Sequence, residues 1–261
     1  MKKAVFFDID GTLWNSKCEI LPSTREAVRK LRENGHLAFI CSGRSRSCIR
    51  NKDLLGIGFD GVIASCGTHI DFHKEVVFEE LLPTEMVAHI LEVTKKQKLP
   101  IVLEGPDYIY VNPEDFADDP FVVYLRHELG EDVHIIPENI EEIAMNKFSA
   151  STVGVDLDRL KRDLGPKFEL IVHTDDKVFE AIPAGHSKAT GIKKVCELFE
   201  IAPEDTYAFG DSENDHEMLA FVAHGVAMGN ATDETKAIAD YVTTKVDEDG
   251  IANGLIYFGL I

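Results

Sequence analysis

The chain has 261 residues, close to the upper size of a single hydrophobic core and suited to two domains. Its hydrophobic content of 44% is that of an ordered globular protein and excludes a disordered chain. Lys and Arg number 27 and Asp and Glu 46, so the net charge of −19 argues against nucleic acid and anionic membrane as partners, both of which call for basic patches. An anionic ligand must therefore be held by local groups rather than steered by the global field. No apolar run reaches the length of a membrane span, and no signal-peptide pattern opens the chain. The five cysteines are odd in number and contain no Cys-x-x-Cys, so reduced thiols and a cytoplasmic location are expected. Cys41, Cys66 and Cys196 sit in apolar surroundings and read as core; Cys18 reads as exposed.

Ala4-Val5-Phe6-Phe7 is a short unbroken apolar run, the pattern of a strand buried on both faces. It ends in Asp8-Ile9-Asp10-Gly11-Thr12. Ser23-Thr24-Arg25-Glu26 reads as a capping box opening a helix that Gly35 stops. Leu37 to Cys41 reads as a second buried strand running into Ser42-Gly43-Arg44-Ser45, with a helical stretch after it, and Gly61 to Ser65 as a third strand. This order predicts a parallel sheet with right-handed crossovers. Ile70 to Phe72 and Val76 to Phe78 flank a polar turn and predict a hairpin.

The rhythm then changes. An amphipathic helix is predicted over residues 84–98, strands at 101–103, 108–111, 148–150, 170–172 and 178–182, and a helix over 156–164. Close-set strands with helices between them read as a separate α+β unit. The acidic cluster Asp115, Asp118 and Asp119 reads as solvated surface, since it lacks a rigid frame. Parallel α/β rhythm returns with a helix opened by Ser187-Lys188 and a strand Thr206 to Phe209 that ends in Gly210-Asp211-Ser212-Glu213-Asn214-Asp215. A further helix with Met218, Leu219 and Val222 inward, and closing strands near 225–230 and 240–243, complete the chain. The expected fold is α/β: a Rossmann-like parallel-sheet core, residues 1–81 and 185–261, with an α+β cap domain, residues 82–184, inserted into it.

Three buried strands thus end in polar clusters: Asp8 with Asp10, Ser42 with Gly43 and Arg44, and Asp211 with Asn214 and Asp215. Parallel neighbours bring such ends to one edge of a sheet, where open α/β folds bind ligands. Asp8 and Asp10 point the same way in an extended segment, and like charges so close call for a proton or a cation. A hard divalent cation with oxygen ligands, most simply Mg2+, answers that need. The Ser42 hydroxyl and the Gly43 N–H suit phosphate oxygens, and Lys188 adds a cation at a helix start that itself favours anions. Alone, each cluster is an ordinary turn, helix cap or surface lysine. In this order, each directly after a buried strand or at a helix start, they form the inventory for phosphoryl transfer.

Asp8-Ile9-Asp10-Gly11-Thr12, Cys41-Ser42-Gly43-Arg44, Ser187-Lys188 and Gly210-Asp211-Ser212-Glu213-Asn214-Asp215 resemble the haloacid dehalogenase (HAD) superfamily, and within it the Cof-type phosphatases with a class IIB cap. Ala227-Met228-Gly229-Asn230-Ala231 and Asp249-Gly250-Ile251-Ala252 are similar to that family too, so the resemblance spans the whole length. It implies that Asp8 is the nucleophile, that Asp10 is the acid and base, and that Lys188 with Ser42 holds the phosphoryl oxygens. It also implies that Mg2+ is bound by Asp8, the Asp10 carbonyl and Asp211, with Asp215 supporting its water shell. Asn214 is expected to orient phosphate or Lys188, and Ser42, Gly43, Arg44 and Asn214 make up the substrate-binding set. Two stretches depart from the family pattern. Ala189 follows the lysine where many relatives have Gly, with Gly191 two further on, and Cys66-Gly67-Thr68 stands where many have Asn-Gly-Ala.

The expected activity is a Mg2+-dependent phosphatase for small phosphate esters, sugar phosphates first, acting as a monomer or weak homodimer. A phosphosugar mutase shares Asp8 and Asp10 and is separated from it by product analysis. A non-catalytic phosphosugar-binding regulator would have lost the nucleophile or a metal ligand, and none is lost here.

Overall fold

β1 (Ala4–Phe7) is buried along its whole length, as an unbroken apolar run requires in the middle of a parallel sheet. The computed structural model describes residues 2–116, 129–173 and 177–261. Two compact units emerge: residues 1–43, 51–79 and 186–261 form the first, and residues 44–50 and 80–185 the second. Among the described residues, no helix is long and apolar enough to cross a membrane.

The first unit is built on one eight-stranded sheet. Its strands are β1, β2 (Leu37–Cys41), β3 (Gly61–Ala64), β4 (His69–Phe72) and β5 (Glu75–Glu79), joined by β12 (Thr206–Gly210), β13 (His224–Ala227) and β14 (Tyr241–Val242) from beyond the insertion. The order is β14-β13-β12-β1-β2-β3-β4-β5. The six strands from β14 to β3 run parallel. The hairpin β4–β5 adds antiparallel to the edge of this sheet. Phe7 stands opposite both Phe209 and Ile40, so β1, β2 and β12 end level with one another. Phe7 stacks on Phe209 with ring centres 5.2 Å apart, and Phe6 on Phe39 at 5.4 Å. The inward residues Ile192 and Val195 of the helix Lys188–Phe199 share a core with Phe6, Phe39, Ala208 and Met218.

Several local expectations change. The helix predicted with Ser23 as its cap starts two residues earlier, as Pro22–Glu33, with Leu21 at the cap and no side-chain cap bond. Proline at the first helical position supplies the start, because its fixed φ suits the helix and its missing N–H has no partner to lose there. Gly35 ends the helix as expected, at φ +86°. After Ser45 only a 3₁₀ turn, Arg46–Cys48, and the short helix Lys52–Leu55 form. The helices Asp233–Ile238 and Gly250–Tyr257 were not foreseen. Cys41 and Cys66 are buried and Cys18 exposed, whereas Cys196 is only half-buried.

The second unit carries a six-stranded sheet of β6 (Val102–Glu104), β7 (Ile109–Val111), β8 (Val133–Ile135), β9 (Lys147–Ser151), β10 (Phe168–His173) and β11 (Val178–Pro183), in the order β10-β11-β9-β6-β7-β8. Among the described residues its pairings are antiparallel except β7 with β8. β8 has no counterpart in the sequence reading. One set of alternating residues, including Leu103, Phe148 and Phe179, packs on Val87 and Ile90 of the helix Thr84–Gln97 and on Leu160 and Leu164 of the helix Leu157–Leu164. The other set includes Lys147, whose ammonium pairs with Glu104 at 3.3 Å and Glu180 at 3.0 Å. Beside them Val102, Ile109, Val111 and Leu129 form a small second cluster, on which Cys48 packs. That contact groups residues 44–50 with this unit, where the sequence reading has only residues 82–184. Of the acidic cluster, Asp115 lies in a 3₁₀ turn, and Asp118 and Asp119 lie outside the described residues.

Candidate active site

Asp8 is the first residue past β1, and its N–H donates to the carbonyl of Phe209 at 3.0 Å, which prolongs the β1–β12 pairing by one step. The chain then turns tightly: the Ile9 carbonyl accepts from the N–H groups of Leu13 at 3.0 Å and Trp14 at 3.2 Å. Gly11 adopts φ +75° in this turn, and a Cβ there would overlap the Asp211 carboxylate. The glycine thus serves both the turn and the approach of the strand-end carboxylate from β12. Thr12 Oγ1 donates to Asp211 Oδ1 at 3.3 Å. Asp10 is exposed, and its Oδ1 accepts from Trp14 Nε1 at 3.0 Å.

Lys188 opens the helix Lys188–Phe199 behind the N-cap Ser187. Its ammonium is buried and lies 2.7 Å from Asp8 Oδ1, 2.6 Å from Asp215 Oδ1 and 3.1 Å from Asn214 Oδ1. Asp215 in turn accepts at Oδ2 from the N–H groups of Asp211 at 2.9 Å and Ser212 at 3.1 Å. Ser212 Oγ donates to Asn214 Oδ1 at 2.9 Å. Of the residues expected to act, Asp8, Lys188, Asp211, Asn214 and Asp215 therefore form one hydrogen-bonded and ion-paired group with the Asp10 turn beside it. Ser42 and Gly43 are buried at the end of β2, next to β1, and the Ser42 N–H donates to Ile63 O at 2.9 Å. Arg44 begins the segment that belongs to the second unit.

The electrostatics follow from setting two buried carboxylates and one half-buried carboxylate around one buried ammonium. Burial works against the charge on Lys188, but Asp215 and Asp8 hold its pKa well above the ordinary 10.5. Burial, then Asp215, push the Asp8 carboxyl well above its usual range, with Lys188 pulling the other way. Burial and Asp215 raise Asp211 to about 7.

The donor chemistry fits a hard divalent cation. Asp8, Asp211 and Asp215 each offer a carboxylate oxygen, and these oxygens all lie within 4.8 Å of one another. The excess of anionic oxygens over the single ammonium makes a second positive charge favourable, and oxygen-only donors suit Mg2+. The Asp10 carboxylate is not one of this group; it faces Trp14.

Three residues of this site carried no role in the sequence reading. Thr12 ends the opening motif and Trp14 lies two residues past it, both of them ordinary loop residues by sequence. Asn230, 219 positions from Gly11, donates to the Gly11 carbonyl at 2.8 Å and to Asp211 Oδ2 at 3.4 Å, while its Oδ1 accepts from the Val246 N–H at 2.8 Å. Its motif was visible, but not its partners. The two stretches that depart from the family pattern touch through Gly67, which keeps the pattern, and Gly191: a Cβ on Gly67 would lie 2.8 Å from Gly191 N, and one on Gly191 2.9 Å from Gly67 Cα. The loop after β3 and the first turn of the lysine helix thus touch through two glycines.

A parallel α/β sheet with a buried carboxylate–ammonium cluster at its strand ends defines a phosphoryl-transfer class of enzyme. The family model for haloacid dehalogenase-like hydrolases matches residues 5–255, and the chain belongs to this family. Over 263 residues it is 36% identical to a Bacillus subtilis protein named "Putative phosphatase YkrA", covering 99% of this chain and 98% of that one. It is 30% identical over 275 residues to the 5-amino-6-(5-phospho-D-ribitylamino)uracil phosphatase YitU of Bacillus subtilis, covering 98% and 97%. The solved structure of the HAD subclass IIB sugar phosphatase BT4131 superposes with a TM-score of 0.84 at 30% identity, over 100% of both chains. The chain is a phosphatase of the Cof type within this family.

Proposed function

We propose that the chain is a Mg2+-dependent phosphatase of small phosphate esters, sugar and polyol phosphates first, working through an aspartyl phosphate on Asp8. The observation that carries this reading is the Lys188 ammonium held between Asp8 Oδ1 and Asp215 Oδ1, with the Asp211 carboxylate beside them. One relative is named for a phosphorylated ribityl chain and one structural neighbour is a sugar phosphatase, which supports the substrate class. Five free cysteines accord with a cytoplasmic enzyme.

In the first step Asp8 forms a bond to phosphorus as the bond to the leaving alcohol breaks, and Asp10 gives that alcohol its proton. In the second, Asp10 takes a proton from water as the water oxygen bonds to phosphorus, and the bond to Asp8 breaks to release phosphate. Ser42, the Gly43 N–H and Lys188 hold the phosphoryl oxygens, and Asn214 keeps Lys188 in place. Asp8, Asp211, the Asp10 carbonyl and Asp215 are the residues that would hold Mg2+, which when bound supplies charge neutralisation at the phosphoryl group.

The test is stereochemical. Two displacements at phosphorus retain configuration, whereas direct attack by water inverts it. A phosphorothioate ester made chiral with two oxygen isotopes and hydrolysed in water carrying the third should give chiral thiophosphate with retention, Asp8→Asn should leave almost no turnover, and Asp10→Asn should lose ~10²–10⁴ in rate. Inversion would replace the aspartyl phosphate with a single-step hydrolysis.

A further inference from the structure

Trp14 is the chain's single tryptophan, and nothing in the two chemical steps uses it directly. Only 6% of it is exposed, yet its indole N–H reaches Asp10 Oδ1 at 3.0 Å. Its main chain is tied to the same turn: the Gly11 N–H donates to the Trp14 carbonyl at 3.0 Å, and Asp10 and Trp14 form an isolated bridge. A buried ring, fixed by its own main-chain bonds to the turn, therefore holds an exposed carboxylate through its indole N–H.

An aspartate carboxyl turns about its last torsion with broad, two-fold preferences. A general acid must present its proton within hydrogen-bond reach of the leaving oxygen, and small misplacements cost large factors in rate. The indole N–H donates only, so it selects an oxygen that keeps an acceptor lone pair. On a protonated carboxyl the carbonyl-type oxygen is the stronger acceptor, which leaves the proton on the other one. We propose that Trp14 is a positioning residue for proton transfer. Its N–H holds Oδ1 of Asp10, so that Oδ2 is the oxygen that protonates the leaving alcohol and later accepts a proton from water. Trp14 keeps its own proton throughout, and Oδ2 regains in the second step the proton it lost in the first. This inference rests on the assignment of Asp10 as acid and base.

A single tryptophan makes the test clean. In protein labelled with ¹⁵N at the indole, the full-length enzyme gives one indole N–H resonance. Asp10→Ala should shift that resonance and speed its hydrogen exchange. Kinetically, kcat/KM reports the first displacement, and proton donation matters most when the leaving alcohol is basic. Trp14→Phe should therefore lose at least about tenfold in kcat/KM with alkyl phosphates, and clearly less with acetyl phosphate. KM should change little. Should Trp14→Phe fail to fold, growth on benzothienylalanine replaces only residue 14, keeps the ring shape, removes the N–H donor and should give the same pattern. An equal loss on every ester, or none, would show a purely structural tryptophan and overturn the inference. Asp10→Asn measured alongside separates the two claims. If Asp10→Asn depends on the leaving group and Trp14→Phe does not, the positioning role is wrong. If neither depends on it, the assignment of Asp10 fails and the inference falls with it.

Discussion

Lys188→Met removes an ammonium that lies against two buried carboxylates. In the intact protein that ammonium sits 2.7 Å from Asp8 and 2.6 Å from Asp215, with both carboxylates buried. Breaking a buried pair by deleting one partner costs ~3–5 kcal/mol, because the remaining charge stays desolvated and unpaired. At about 2–4 °C per kcal/mol for a chain of this size, the melting temperature should fall by roughly 6–20 °C at pH 8 in chelator. The pH dependence identifies the cause. Burial first and Asp215 second already raise the Asp8 carboxyl above the ordinary 3.8, and Lys188 is what opposes them. An acid whose folded pKa is raised penalises the folded state above that pKa and stops doing so below its unfolded value. The variant should therefore be most destabilised at pH 8 and approach the parent as the pH falls toward 4. Lys188 gives the matching sign: its raised pKa means that its stabilisation is present below 10.5 and is lost as the pH rises through the folded value. Mg2+ should recover part of the variant's loss by returning positive charge to the same carboxylates. Calorimetric melts of both proteins across this range, with and without Mg2+, decide the matter. A deficit of equal size at pH 8 and pH 4.5 would mean that Lys188 serves packing rather than charge, and the electrostatic account would fail.

Metal dependence follows from the same cluster: chelator should abolish turnover and Mg2+ restore it, and Asp211→Asn should weaken Mg2+ binding while the melt stays cooperative. Because burial and Asp215 raise the Asp211 carboxyl to about 7 in the metal-free protein, Mg2+ affinity measured by calorimetry should weaken as the pH falls through that region; a flat affinity from pH 8 to 6 would contradict it. In the second unit, Lys147 and His173 outweigh the upward push of burial and hold Glu180 at about 2. That stabilisation is present above pH 4.5 and is lost as the pH falls toward 2, so Glu180→Gln should cost about 3 kcal/mol at pH 7 by denaturant melts and much less near pH 3. We assign the choice of leaving group to residues 82–184, since the assigned chemistry lies outside them. A chimera carrying a relative's insertion should take on that relative's substrate ranking in a phosphate-release panel; retention of the parent ranking in a folded, Mg2+-binding chimera would refute the assignment.

The candidate site of this protein was legible in the sequence because its parts are local. Each polar cluster directly follows an apolar run or opens a helix, and a period-two strand that stops at an aspartate says where that aspartate stands. Asp8, Asp10, Ser42, Lys188, Asp211 and Asp215 could be named on that basis, as could the resumption of parallel rhythm after the insertion. What the sequence could not contain is pairing across distance. That Lys188 bridges Asp8, 180 positions away, and Asp215 depends on β12 lying beside β1 in register, which no local pattern specifies. The Asn230 link from Gly11 to Asp211 and the contact of Gly67 with Gly191 are of the same kind. Residues 44–50 follow Ser42-Gly43 directly and read as core, yet Cys48 finds its apolar partners at Val102, Ile109 and Val111, and only tertiary packing moves the boundary. Even the bond from Trp14 to Asp10, four residues apart, was hidden, because the direction of an indole N–H is set by how its ring is buried and not by its spacing along the chain.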